Sequence, residues 1–266
     1  NNIEISKPFE INFNKNKVID DGFIKAFSRL ISTITVSSDQ EIIKGIKLAE
    51  IKGMIESFSV KEEKFIDETY YVNLGVAFNK KKIFNYLENK NVFPSVPNRK
   101  KFLLFPIIIE EKNNNLIAFS ENNLFNNWNK YNKKSHLLEY LLPTEDLEDL
   151  NLIKKNYETI EKYNFEEITR KYNLDDSIVT LVFKDNNNVR ILSRITIEDK
   201  VVLKNLSFSN INFDDEDDII DLIDKLKIIY EDHWKIFYRI NTSIKLPIFV
   251  KLDSDDNLKV SNFERK

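Results

Sequence analysis

Several residue types are scarce or missing in this chain of 266 residues, and each scarcity excludes a class of function. There is no cysteine, so disulfide scaffolds, thiol catalysis and cysteine-ligated zinc or iron–sulfur sites are impossible. The four glycines are scattered singly, which excludes a Walker loop and a glycine-rich dinucleotide-binding turn. The two histidines, His136 and His233, are too few and too isolated for a metal site or a catalytic triad, so each is expected to be an ordinary surface or packed residue.

Charge and hydrophobic patterning exclude two further classes. The 40 Lys and Arg residues against 43 Asp and Glu give a formal net charge of −3, whereas dedicated nucleic-acid binders usually carry a basic excess. The longest apolar stretch, Phe102–Ile109, is interrupted by Pro106 and is far shorter than the roughly 20 residues of a membrane helix. We therefore predict no nucleic-acid partner and no membrane span.

The start of the chain bears on its compartment. It opens at Asn1, without methionine and without a basic segment followed by an apolar one. This start is expected for a mature exported protein after signal removal, and equally for a recombinant fragment.

Residues 1–95 are predicted to form an N-terminal α+β unit in the order β-α-α-β-β-α, with helices on one face of an antiparallel sheet. The predicted elements are a strand over 3–13 broken by Pro8, a helix over 17–35, a helix from Asp39 through Ala49, strands over 55–66 and 70–78 joined at Asp67–Glu68, and a helix capped by Asn79.

Residues 102–242 are predicted to form a second unit, an α/β unit with a mixed sheet and flanking helices. Pro94 and Pro97 interrupt the periodicity between the two units. The predicted elements are a central strand over 102–109, a helix over 121–131, a short strand over 137–142, a helix capped by Thr144, a helix around 165–172, strands over 177–184, 189–197 and 201–210, and a long helix over 215–239.

Residues 243–266 are predicted to begin a truncated third segment, since one strand over 244–252 and half a helix cannot bury themselves alone. Asp253–Glu264 has the ligand spacing of a calcium-binding EF loop. Leu258, however, occupies the position that requires glycine, and a strand precedes the loop instead of a helix. We therefore expect a polar turn, and no metal or cofactor is assigned to the chain.

Two charged clusters each allow a functional and a structural interpretation. The acidic run Asp214–Asp218 could bind metal or mimic phosphate, but acids at a helix N-terminus also complement its dipole. Lys80–Lys82 have no such dipole rationale, and together with Arg99–Lys101 they could form a patch for an anionic partner or lipid surface. The solvated interpretation is preferred for both clusters.

No catalytic set can be assembled from motifs. Trp128 and Trp234 are expected to be core residues, and no Gly-x-Ser-x-Gly elbow exists. Carboxylates are too numerous for any pair to be singled out, so a glycan-hydrolysing carboxylate pair stays open as an alternative. No catalytic, cofactor-binding or metal-binding residue is predicted.

Six segments, in order, resemble the uncharacterised proteobacterial exported family known as domain of unknown function 2066. They are Ile55–Val60, Val72–Phe78, Asn79–Val92, Phe102–Ile109, Glu121–Trp128 and Leu142–Asp149. The resemblance implies a location in the periplasm or cell envelope. It supplies no catalytic residues, and relatives carry a further α/β segment beyond the position of Lys266. The second unit is also similar in element order to small α/β domains of envelope-assembly proteins.

These observations together favour a non-enzymatic periplasmic protein that binds other envelope proteins as an adaptor or assembly factor. Sheet edges or the exposed face of the long helix would then be the contact surfaces. The alternative is a carboxylate-dependent periplasmic enzyme acting on envelope glycans.

Overall fold

The computed structural model describes residues 2–240, which form two β-sheets with flanking helices. This architecture confirms the predicted mixed α+β class. The predicted strand over 244–252 and the Asp253–Glu264 segment lie outside the described residues. The domain boundaries placed near residues 95 and 102 stay predictions.

The first sheet has three antiparallel strands in the order β1-β3-β2, with four helices contributing to the core on one face. Its elements are β1 (Asn2–Pro8), α1 (Lys15–Ile34), α2 (Ser37–Ile43), α3 (Leu48–Met54), β2 (Ile55–Ile66), β3 (Thr69–Phe78) and α4 (Lys80–Asn89). Alternate residues of β3 from Tyr70 to Val76 are buried, which is the period-two pattern that predicted this strand. The side chain of Asn79 accepts a hydrogen bond from the Lys82 amide at 3.1 Å, so the predicted cap of α4 is confirmed.

One predicted helix of the first unit is in fact two. The segment from Asp39 through Ala49 divides into α2 and α3 at Gly45, which has a φ of +86°. Because this left-handed conformation is readily available only to glycine, Gly45 breaks a helix whose apolar spacing otherwise continues. The order is therefore β-α-α-α-β-β-α, with one helix more than predicted.

The second sheet is mixed, as predicted, and has six strands. Its elements are β4 (Lys100–Glu110), β5 (Asn115–Ile117), α5 (Asn123–Asn127), β6 (Leu138–Leu141), α6 (Leu147–Lys155), α7 (Glu166–Arg170), β7 (Ser177–Asp185), β8 (Asn188–Ile197), β9 (Lys200–Phe208) and α8 (Glu216–Phe237). β4 runs parallel to β6 and β7 and antiparallel to β5, while β7, β8 and β9 form an antiparallel meander that ends at β9.

Two helical layers cover this sheet unequally. α8 packs one side over β7 and β8, with Ile223 and Leu226 among its buried residues. On the opposite side, Ile153 of α6 and Ile168 of α7 share a core with alternate residues of β4 and β7. Because α7 has only five residues, the part of this side that belongs to β8 and β9 lies open.

Two helix predictions in the second unit are wrong in their bounds. The helix expected over 121–131 spans only Asn123–Asn127, and the Asn122 side chain caps it by accepting from the Leu124 amide at 2.9 Å. Thr144 does not cap α6. Asp146 does so, accepting from the Glu148 amide at 2.8 Å, while the Thr144 amide donates to the hydroxyl of Tyr172. The N-termini of α5 and α6 are thus set by Asn122 and Asp146, because short polar side chains compete to accept from the free amides at a helix start.

The C-terminal half of α8 joins the two units. Asp232 accepts a hydrogen bond from the Ser37 amide at 2.8 Å, and Lys235 Nζ donates to the Ser32 carbonyl at 2.6 Å. The indole of Trp234 donates to the carbonyl of Asn98 in the linker at 2.8 Å. α8 therefore belongs to the core of the second unit and also docks on the first.

Candidate protein-binding groove

A groove crosses the part of the second sheet that α7 leaves open. Its floor includes Arg194 and Thr196 of β8 and Val201 and Leu203 of β9, and its wall is formed by α7 and the residues before it. The groove has a volume of about 690 Å³. Leu203 lies opposite Arg194, and Val201 lies opposite Thr196, so all four side chains share one face. We call this feature the β9 groove.

The apolar part of the β9 groove is open to solvent. Val201 and Leu203 are each 55% exposed, although the intervening Val202 faces the side covered by α8. Three consecutive apolar residues give β9 apolar side chains on both faces, whereas an ordinary solvent-facing strand surface is polar. An exposed apolar pair beside a groove is typical of an interaction surface.

Two arginines line the β9 groove. The Arg170 guanidinium forms an ion pair with Glu166 one helical turn away and is 77% exposed. Arg194 donates to the carbonyl oxygen of Tyr163 and, at 3.0 Å, to that of Glu161. The two carbonyl contacts therefore hold Arg194 against the wall.

The end of the groove at the β8–β9 turn carries negative charge. Asp175 lies two residues before Ser177, the first residue of β7, and Asp199 lies in the turn that starts β9. Neither carboxylate forms an ion pair with another residue in the range 2–240. The neighbouring Asp176 is different, because it is buried and is paired with Lys100 at 2.9 Å. Lys100, whose pKa is raised mainly by its hydrogen bond to Asp176, also interacts electrostatically with Asp175. Among the described residues, Asp199 therefore carries the uncompensated negative charge at this end.

Two of the sheet edges, β9 and β2, differ in how well they are protected. Among the described residues, β9 pairs with β8 alone, in a register without a bulge from Val189 to Lys200. β2 pairs with β3 alone, but its register shifts twice, and the charged run Lys61–Lys64 begins at the second shift. Bulges and charges are the devices that discourage edge pairing. β9 is therefore a better template for an added strand than β2.

A second polar feature lies along the buried side of α8. The ammonium of Lys227 donates to the carbonyls of Trp128 and Tyr131 at 2.6 and 2.7 Å and to the Asn132 side chain at 2.8 Å. One turn further on, Glu231 accepts from the amides at the start of β6 at 2.8 and 2.7 Å. Burial lowers the pKa of Lys227 to about 8 and raises that of Glu231. The hydrogen bonds of Lys227 and Glu231 therefore hold the segment that connects α5 to β6.

A small cavity of about 160 Å³ lies between the units, next to Glu231 on α8. It is lined by Glu231, Asp232, Lys235 and His136, among others. Burial, reinforced by nearby lysines, lowers the pKa of His136 to about 4, so the imidazole is neutral at physiological pH. Asp232, Lys235 and one oxygen of Glu231 already contact the protein, whereas the other Glu231 oxygen and His136 Nδ1 have no hydrogen-bond partner among residues 2–240. The cavity is therefore mainly part of the docking interface.

The basic clusters found in the sequence have separate local contacts. Lys82 Nζ donates to the Gly53 carbonyl at 2.8 Å in the first unit, and Lys80 lies 5.4 Å from the ring centroid of Phe84. Lys100 is bound to Asp176 in the second unit. Half of the proposed patch therefore has an intramolecular role.

The acidic run lies at the N-terminus of α8, as the structural interpretation predicted, and it also caps the helix. The side chain of Asp215 accepts from the Asp217 amide at 2.9 Å at the start of α8. Asp218 accepts from the Asn212 amide at 2.8 Å, and Glu216 pairs with Lys130.

The aromatic and histidine predictions can also be placed. Trp128 and Trp234 are at most 1% exposed, which confirms them as core residues. His233 is half-buried on α8, and burial lowers its pKa. Over residues 2–240 no three histidine or carboxylate side chains form a metal-binding group, and no helix in that range is long and apolar enough to cross a membrane.

Comparisons with known proteins give no match, whether the chain is scanned against protein-family models or searched against curated proteins and solved structures. The resemblance to domain of unknown function 2066 therefore stays a prediction.

The sequence analysis did not single out Val201, Leu203, Asp175 or Asp199. The usable signal was the run Val201–Leu203, because an edge strand that is apolar on both faces needs either a cover or a partner.

Proposed function

We propose that this protein is a non-enzymatic adaptor or assembly factor of the bacterial envelope that binds partner proteins through β9. The observation that carries the proposal is an unbulged nine-residue edge strand with two exposed apolar residues beside a groove. An extended partner segment can add to such an edge, where main-chain hydrogen bonds supply affinity and side-chain pockets supply specificity.

The periplasmic location is part of the proposal and rests on the sequence. It is supported by the resemblance of segments such as Glu121–Trp128 and Leu142–Asp149 to an exported family. Partners are accordingly other envelope proteins.

Site-specific photo-crosslinking in cells that make the exported protein tests this function. A photo-reactive residue replaces Leu203, and the matched control replaces Leu147, which is 71% exposed on α6. We expect one or a few discrete envelope proteins to attach at position 203 and not at 147, and the additional change Val201→Asp to abolish them. Equal products at both positions, or recovery of the protein outside the periplasmic fraction, would contradict the proposal.

The carboxylate-enzyme alternative has its best location in the same groove. Glu166, Asp175 and Asp199 all line it, but Glu166 is already paired with Arg170. Turnover of purified envelope glycans that is lost in Asp175→Asn would favour the enzyme and refute the adaptor.

A further inference from the structure

We infer that β9 receives an extended segment with the pattern apolar-x-apolar-x-basic, written from its N-terminus. This inference rests on the proposed strand addition and adds the chemistry and direction of the partner. It follows from the order of side chains along one face of β9.

The direction of the added strand follows from the existing sheet. β7, β8 and β9 are already antiparallel, and antiparallel pairs are slightly more stable per residue than parallel ones. A partner that is antiparallel to β9 passes Leu203 first, then Val201, and then Asp199.

The alternation of the partner follows from the pleat. Residues of an added strand that lie opposite Leu203 and Val201 point to the same face of the sheet as the groove, and the residue between them points to the other face. Two apolar side chains at these places would cover the 55% exposed pair. The groove places no constraint on the residue between these two apolar positions.

The basic residue follows from charge complementarity. Two positions beyond the second apolar residue, the partner lies opposite Asp199, at the end of the groove that Asp175 also lines. Asp199 forms no ion pair among the described residues, so a lysine or arginine there meets uncompensated charge. Arg194 is held against the wall by the Glu161 carbonyl, and Arg170 is paired with Glu166.

Fluorescence anisotropy with labelled peptides and the full chain tests the inference. The probe peptide has the core Ile-Thr-Val-Thr-Lys, and its comparators end in Glu or have the core order reversed. Exposed ion pairs contribute about 0.2–1 kcal/mol each. Because Asp199 attracts the lysine and repels the glutamate, with Asp175 at the same end of the groove, we expect the Glu peptide to bind about tenfold more weakly and the difference to shrink at high salt.

Matched variants assign this preference to the groove. Asp175→Asn with Asp199→Asn should bring the Lys and Glu peptides to within about twofold of each other. Asparagine keeps the shape and tolerates the positive φ of residue 199. The control, Glu56→Gln with Glu88→Gln, removes two exposed acids of the first unit and should leave the tenfold preference unchanged.

The outcomes separate this inference from the proposed function. Equal binding of the Lys, Glu and reversed peptides, with loss of all binding in Leu203→Asp, would overturn the pattern but retain strand addition. Absence of binding at millimolar peptide would overturn both. Self-association of the chain that Leu203→Asp abolishes would identify a second copy as the occupant and would also overturn the inference.

Discussion

The hydroxyl of Tyr230 makes the most completely buried polar contact between α8 and the second sheet. Its oxygen lies 2.8 Å from Thr180 Oγ1 and 2.7 Å from Ser193 Oγ, and all three residues are at most 1% exposed. Burial raises the pKa of Tyr230 to about 12, so the phenol stays protonated at neutral pH. Removing this one oxygen therefore affects two other buried hydroxyls.

We expect Tyr230→Phe to lower the free energy of unfolding by about 2–4 kcal/mol. A buried polar group that loses its partner costs about 1–3 kcal/mol, and two groups lose one here. Because groups in one hydrogen-bond network do not contribute additively, the expected total lies in the lower part of the summed range of about 2–6 kcal/mol. The triple change Tyr230→Phe, Thr180→Val and Ser193→Ala replaces the whole network with apolar groups of similar shape, so it should lie within about 1 kcal/mol of the wild type.

Urea unfolding followed by circular dichroism measures these differences, with Tyr71→Phe as the control. Tyr71 is 43% exposed, so its change should stay within about 0.5 kcal/mol. The reasoning is refuted if Tyr230→Phe is as mild as this control, or if the triple variant is no more stable than the single one.

Two further predictions concern packing and pH. Gly22→Ala should destabilise the first unit by about 1–3 kcal/mol, because its new Cβ would lie 2.4 Å from Leu74 Cδ1. Gly53→Ala meets no atom within 4 Å on α3 and should instead stabilise by about 0.5–1 kcal/mol; urea unfolding of both variants decides, and equal signs would contradict this account. The folded-state pKa of His136 lies at about 4, below its unfolded value, so the unfolded chain binds more protons between these values and stability falls with acidification. Between pH 7 and pH 4.5 the wild type should therefore lose about 1–2 kcal/mol more than His136→Asn, whereas parallel loss in both would assign the pH dependence to other groups.

Local rules predicted much of the fold because they act within a few residues. The alternation in Tyr70–Phe78 correctly predicted β3, and the helical spacing correctly predicted α1 and α8. Asn79 was also correctly predicted as a cap. The failures were local as well. Gly45 was not read as a break, and Asp146 was the cap where Thr144 had been expected.

The sequence by itself determined the class of this protein and several exclusions. The absence of cysteine is decisive for thiol chemistry, and the period of the apolar residues assigns helices and strands because burial requires one face. Trp128 and Trp234 were placed in the core for the same reason.

Only the tertiary structure decided the shape and lining of the β9 groove. Asp175 and Asp199 are 24 positions apart in the chain and line the same groove because β7, β8 and β9 are in register. In the sequence, Val201 and Leu203 are indistinguishable from ordinary strand residues. Their face of the sheet is open to solvent because α7 is too short to cover it. Strand order and the coverage of the sheet by helices depend on contacts between distant segments. The periodicity of a single segment therefore predicts neither.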